Sequence, residues 1–170
     1  MMQAKTWEVP GDLLAKSVEH MRPYGTRGHE GLALWFGDEA DGIVAITHLV
    51  LPYGPGLTTH PLRLSLSMRA MSRLTRLAGE LDSYWAGQIH SHPGTMVGLS
   101  EVDEEMGVRV QDYLSLVCPY YAQRETRDFA ECGVHMFDGG AYRRLGTIEV
   151  SKRIALCERR VRVVPVEVLA

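Results

Sequence analysis

SYWAGQIHSHPGTMVGLSEVDEE, residues 83–105, opens as a strand and closes as a helix, and the turn between them decides how the rest of the chain is read. SYWAGQIH, 83–90, has the composition of a strand, and Pro93 with Gly94 ends it. Side chains two apart on a strand share a face, so His90 and His92 present two imidazoles side by side. The seven residues 93–99 reach up to about 23 Å when extended, enough to fold back on the strand. Ser100 then stands where a helix begins, a favoured N-cap, and Asp103 lies one turn further on the same face. Two neutral imidazoles and one carboxylate make three protein ligands. Zinc held by three ligands keeps a fourth position for water, which marks a catalytic rather than a structural site. The bland alternative is a pair of surface histidines ahead of a capped helix.

Outward from this stretch, strands and helices intermix. DLLAKSVEHM, 12–21, places Leu14, Val18 and Met21 at helical spacing, with Asp12 positioned to cap the first turn. EGLALWFG, 30–37, and GIVAITHLVL, 42–51, suit strands and flank a polar turn at 38–42, so they read as a hairpin. Leu64, Met68, Met71, Leu74, Ala78 and Leu81 step by three and four, the stripe of an amphipathic helix covering a sheet, while Arg69, Arg73 and Arg76 form its solvated side. A helix is expected over about 100–113 with Met106, Val110 and Tyr113 inward. Strands are expected at 114–118, 132–137 and 142–150, the last two joined by a turn at 138–140. VRVVPVEV, 161–168, reads as a strand that Pro165 confines to an edge. Without a regular βαβ rhythm, this order predicts an α/β (α+β) fold, a mixed β-sheet flanked by helices.

The 170 residues fit one domain, 1–170, and 45% apolar content suffices for one core. A net charge of −3 argues against a nucleic-acid binder, which needs a surplus of Lys and Arg on one surface. The longest apolar runs, such as LALWF, are too short to span a bilayer, so no membrane partner is expected. Cys118, Cys132 and Cys157 are odd in number, lack CxxC spacing and read as small buried hydrophobes. No charged leader followed by an apolar stretch precedes Glu8, and a cytoplasmic location is the expectation.

HSHP, seven intervening residues counted from His92, then SEVD, resembles the JAMM (MPN-plus) motif of a zinc metalloprotease family, without a substitution. The resemblance implies an MPN, cytidine-deaminase-like domain over most of the chain. It also implies a zinc peptidase that cuts peptide or isopeptide bonds after the C-terminal tail of ubiquitin or a ubiquitin-like protein. The wording GQIHSHPG is most similar to bacterial members that serve ubiquitin-like conjugation systems. The family's early-strand glutamate falls on Glu30 in EGLALWFG; spacing alone leaves Glu30 one of several acidic candidates, and the resemblance selects it. It further implies His90, His92 and Asp103 as zinc ligands, Glu30 as the base that takes a proton from the zinc-bound water, and Ser100 as the oxyanion donor. His29, beside Glu30, faces the other way and is read as structural, as are His20, His48 and His135; the role of His60 stays open. The stretches matching the family's two substrate-clamping insertions, 52–64 and 119–131, are short.

Rival classes fare worse. Amidohydrolases also use HxH on a strand but need a barrel of about 250 residues. Zinc deaminases need an HxE and a PCxxC, which are absent. A scaffold relative that has lost its ligands is opposed by the intact set of five residues. A peptidase trimming a sulfur-carrier protein or another small protein remains the alternative within the enzyme class.

Overall fold

The computed structural model describes residues 5–170. Thr6–Pro10 (β1) leads into the helix Leu13–Thr26 (α1), followed by the strands Leu32–Ala40 (β2) and Ile43–Tyr53 (β3). Next come a short hairpin, Leu57–His60 (β4) and Arg63–Leu66 (β5), the helix Met68–Glu80 (α2), and the strand Tyr84–Ser91 (β6). Glu101–Met106 (α3), Leu114–Cys118 (β7), Gly133–Asp138 (β8) and Ala141–Arg144 (β9) precede Thr147–Arg153 (α4), Ile154–Cys157 (β10) and Arg162–Glu167 (β11). Among the described residues nine strands form one sheet in the order β10-β1-β3-β2-β6-β7-β8-β9, with β11 alongside the second half of β3. β1 runs parallel to β10 and β3, β11 parallel to β3, and β6 parallel to β7, whereas β2 is antiparallel to both β3 and β6. The expected mixed α/β architecture is the one observed.

β2 explains why its sequence is a continuous apolar run: it is buried on both faces. Leu32, Leu34 and Phe36 pack with Leu74 and Leu77 of α2, while Ala33 and Trp35 join Leu13, Val18 and Met21 of α1 on the opposite side. The sheet is thus sandwiched between α1 and α2, and β6, next to β2, carries the histidine motif through its centre. Within the α1 layer the indole N–H of Trp35 donates to Ser17 Oγ at 3.0 Å, and Ser17 Oγ in turn donates to Leu13 O at 2.8 Å. Ser17→Ala leaves a fully buried N–H without its acceptor. It should lower the unfolding free energy by about 1–3 kcal/mol, read from urea melts.

Several boundaries differ from the sequence reading. Asp12 precedes α1 but makes no side-chain cap; its carboxylate pairs with Lys16 at 2.8 Å and accepts from the main-chain N–H of Val161. The helix runs on to Thr26 and ends where Gly28 takes a left-handed φ of 69°. The hairpin turn shrinks to Asp41 and Gly42, both at positive φ, the type I′ geometry whose twist suits two antiparallel strands. Asp38, Glu39 and Ala40 stay in the ladder.

α2 starts only at Met68 because Ser67 caps it, accepting from Ala70 N at 3.0 Å. Its inward stripe is Ala70, Leu74, Leu77 and Ala78; Leu64 belongs to β5, and Met68 and Met71 point outward, Met68 85% exposed. The helix expected to reach 113 stops at Met106, because Gly107 is extended; Met106 and Val110 are exposed, and Tyr113 alone of the three is buried. YRRLGTIEV is β9 plus α4, broken at Gly146, which serves as the N-cap of α4. β1 and β10 have no counterpart in the expected elements. No helix among the described residues is long and apolar enough to cross a membrane.

Candidate metal centre

β6 and the residue that follows it bring His90 and His92 to one face, and both are buried. Ser91, between them, points the other way, where its hydroxyl accepts from Gly31 N at 2.9 Å and its N–H donates to Gly31 O at 3.1 Å. This latch ties the histidine strand to the residues entering β2. Glu30 is fixed there, its own N–H donating to His60 O at 3.1 Å and its side chain 3% exposed. His60 therefore serves Glu30 through its carbonyl.

The loop after His92 is held from two sides. His92 N donates to Cys118 O, and the N–H groups of Tyr120 and Tyr121 donate to Gly94 O and His92 O, each at 2.8 Å. To make those bonds Tyr120, Tyr121 and Ala122 adopt φ values of 56°, 50° and 58°. Three left-handed non-glycine residues in a row cost about 1–2 kcal/mol apiece. Tyr121 also donates its phenol proton to Pro61 O at 2.7 Å, and Arg124 stacks 3.6 Å over the Tyr120 ring. Beneath the loop Gly133 leaves no room for a side chain: a Cβ there would stand 1.8 Å from Val97 O.

The loop ends in a reciprocal cap. Ser100 Oγ accepts from Asp103 N at 3.1 Å, and Asp103 Oδ2 accepts from Ser100 N at 2.8 Å. The cap that starts α3 thus also locks the Asp103 rotamer. The same Oδ2 lies 3.1 Å from His92 Nε2 and 3.5 Å from His90 Nε2, and the two Nε2 atoms are 3.1 Å apart. A tetrahedral ion with bonds of about 2.0–2.1 Å holds its ligands roughly 3.4 Å from one another. The three donor atoms meet that spacing, and their chemistry, two imidazole nitrogens and a carboxylate oxygen, fits a metal ion. Glu30 Oε1 lies 3.8 Å from His92 Nε2, and Glu30 Oε2 is buried with no hydrogen-bond partner among the described residues.

Burial is the largest influence on each charge here. It pushes the Glu30 carboxyl up to about 7, with the His92 charge working against it and that of Asp103 adding to it. Burial also opposes ionisation of Asp103, yet hydrogen bonds from His90 and His92 and the Ser100 N–H hold its carboxyl well below the usual range. On His92 burial acts downward, and the bond to Asp103 together with the charges of Asp103 and Glu30 outweighs it, raising the imidazole.

Over 138 residues the chain is 30% identical to the probable metalloprotease y4jG of Sinorhizobium fredii, covering 81% of this chain and 85% of that one. The chain belongs to this metalloprotease family. No family model matches it. The fold is shared with protein DSY2949 from Desulfitobacterium hafniense, solved in solution, at a TM-score of 0.63 and 16% identity, covering 90% of this chain and 94% of the other. The JAB1/MPN domain protein AF2198 from Archaeoglobus fulgidus aligns at a TM-score of 0.44 and 14% identity over 94% and 98% of the two chains, a score too low to carry weight.

Within this metalloprotease the structure brings all five sequence-predicted residues together: His90, His92 and Asp103 in mutual contact, Ser100 on the same cap, and Glu30 beside His92. None of the other histidines among the described residues gives a ring nitrogen to this group. His29 Nδ1 meets Thr59 Oγ1, His48 Nδ1 meets Thr47 Oγ1, and His135 Nδ1 meets Ser115 O. Ser91 and Tyr121 escaped the sequence reading. Ser91 had a signal, since a serine alternating with two inward histidines must find a partner on the opposite face; the left-handed turn at Tyr121 had none.

The site opens into a groove of about 740 Å³ between β5, α2 and α3, lined by Leu64, Met68, Met71, Trp85, Val102 and Met106 together with His90 and Asp103. The outward methionines of α2 are its lining.

Proposed function

We propose that this metalloprotease is a JAMM/MPN-plus peptidase or isopeptidase that uses one zinc ion, held by His90, His92 and Asp103, to cut after the C-terminal tail of a ubiquitin-like protein. The observation that carries the reading is the convergence of His90 Nε2, His92 Nε2 and Asp103 Oδ2 at 3.1–3.5 Å with Glu30 alongside. When bound, zinc supplies a Lewis acid that polarises a carbonyl and lowers the pKa of its water to about 7.

The chain's own residues do the rest. Glu30, whose Oε2 has no competing protein partner among the described residues, accepts the proton of the attacking water and passes it to the leaving amine. Ser100 Oγ accepts from Asp103 N, so its own proton is available for an oxyanion. The groove receives the substrate tail in extended form, and β5, a strand of a two-stranded sheet, offers main-chain groups for it to pair with. Deuterium exchange with a bound ubiquitin-like protein should protect 63–66; protection elsewhere with 52–66 unchanged would remove this docking mode.

Ser100→Ala should lower turnover roughly a hundredfold to a thousandfold. It also removes the cap's side-chain half, worth about 1 kcal/mol. Metal content should hold, because the Ser100 donor that fixes Asp103 is main chain. The direct test of the whole reading is incubation of zinc-loaded protein with linear fusions and isopeptide conjugates of ubiquitin-like proteins. Cleavage after the tail, abolished by a chelator and restored by zinc, is expected; uncut substrates of both kinds would overturn it.

A further inference from the structure

Two of the three cysteines face each other across the sheet behind the metal centre. The β7–β8 ladder pairs Val117 with Gly133, so the next rung sets Cys118 opposite Cys132. That rung exchanges no main-chain bonds: Cys132 N donates to Phe129 O, and Cys118 O is taken by His92 N. In antiparallel pairs the rungs without hydrogen bonds bring side chains closest, with Cα atoms about 4.5 Å apart, inside the range that a disulfide bridges. Both side chains are buried in the same core cluster, under α1.

We infer that Cys118 and Cys132 are an oxidisable dithiol that closes to an intramolecular disulfide across the two ends of the 119–131 segment. With hydrogen peroxide as oxidant, one sulfur takes an oxygen as the O–O bond breaks and one water leaves. The second sulfur then displaces that oxygen as a second water. Two thiols give up two protons and two electrons, peroxide accepts them, and one S–S bond forms. The bridged segment is the one whose left-handed turn, Tyr120 to Ala122, supports the carbonyls of His92 and Gly94. The modification therefore covalently fixes the scaffold behind one ligand, and it stands or falls independently of the peptidase reading.

The chain's own cleavage sites make the test direct, because trypsin places Cys118, Cys132 and Cys157 on separate peptides, 110–124, 128–143 and 154–159. Full-length protein is treated with hydrogen peroxide, quenched, unfolded with an alkylating agent and digested. Alkylatable thiols should fall from three to one, with a mass loss of about 2 Da and a 110–124/128–143 cross-link, leaving Cys157 alkylated. Cys157→Ser should give the same cross-link and no free thiol, and its unfolding midpoint should rise on oxidation. Links to Cys157 or between chains, sulfinic acid without a cross-link, or a midpoint unchanged by the cross-link would overturn the proposal. Cys132→Ser should abolish both the link and the rise; should that variant fail to fold, the Cys157→Ser result decides alone.

Discussion

His92→Ala is expected to reduce bound metal from near one equivalent per chain to near zero and to bring proteolysis to background. His92 stands at the centre of the cluster: its Nε2 is 3.1 Å from both His90 Nε2 and Asp103 Oδ2 and 3.8 Å from Glu30 Oε1. Two remaining donors do not enclose an ion as three do. The loss should show by elemental analysis after dialysis, which is independent of any substrate. It should not arise from unfolding, because the main chain of His92, which carries the bonds to Cys118 and Tyr121, is untouched. A far-ultraviolet spectrum like that of the parent, with metal gone, is the full expected result. Unchanged metal content would take His92 out of the ligand set and with it the reading of the motif.

The site was legible where its geometry is local. His90 and His92 share a face by strand periodicity, and Ser100 and Asp103 share one by helix capping; both relations span three residues or fewer and survive in the structure. LSLVC is β7 to the residue and SYWAGQIH is β6 within one, because both lie in the middle of the sheet, where apolar runs are long. What sequence did not disclose depends on distant partners. β1 exists as a strand through parallel pairing with β10 and β3, the former more than a hundred residues away, and such pairing leaves no local pattern. The β-branched residues of TIEV suggested a strand, yet beyond Gly146 they have no ladder to join and close a helix turn against β10. The helical period from Leu64 to Leu81 was sound in its second half, but Ser67 caps the chain into a helix only after β5, which turns Met68 and Met71 from core residues into the groove lining. Glu30 is a further case: no spacing singles it out, and it reaches the centre because Ser91 clamps Gly31.

Glu30→Gln separates metal binding from chemistry. The amide is isosteric and Glu30 is not one of the three converging donors, so metal content should stay near one equivalent. Turnover should fall by about 10²–10⁴, the usual contribution of a positioned general base, because an amide accepts no proton. Retained turnover would remove Glu30 from the mechanism, and lost metal would make it a ligand instead. A second consequence needs no substrate. Burial raises the carboxyl to about 7 from an ordinary value of 4.5, so in metal-free protein the folded state binds more protons than the unfolded one between those limits. Stability therefore declines as pH climbs from 4.5 through about 7, and above that the ionised, buried carboxylate is a standing liability. Gln carries no charge to bury. In chelator, the variant should melt above the parent at pH 8 and lose that advantage at pH 4. With metal bound the parent should recover the difference, since a cation beside His92 favours the carboxylate; thermal melts at the two pH values, with and without metal, measure all three.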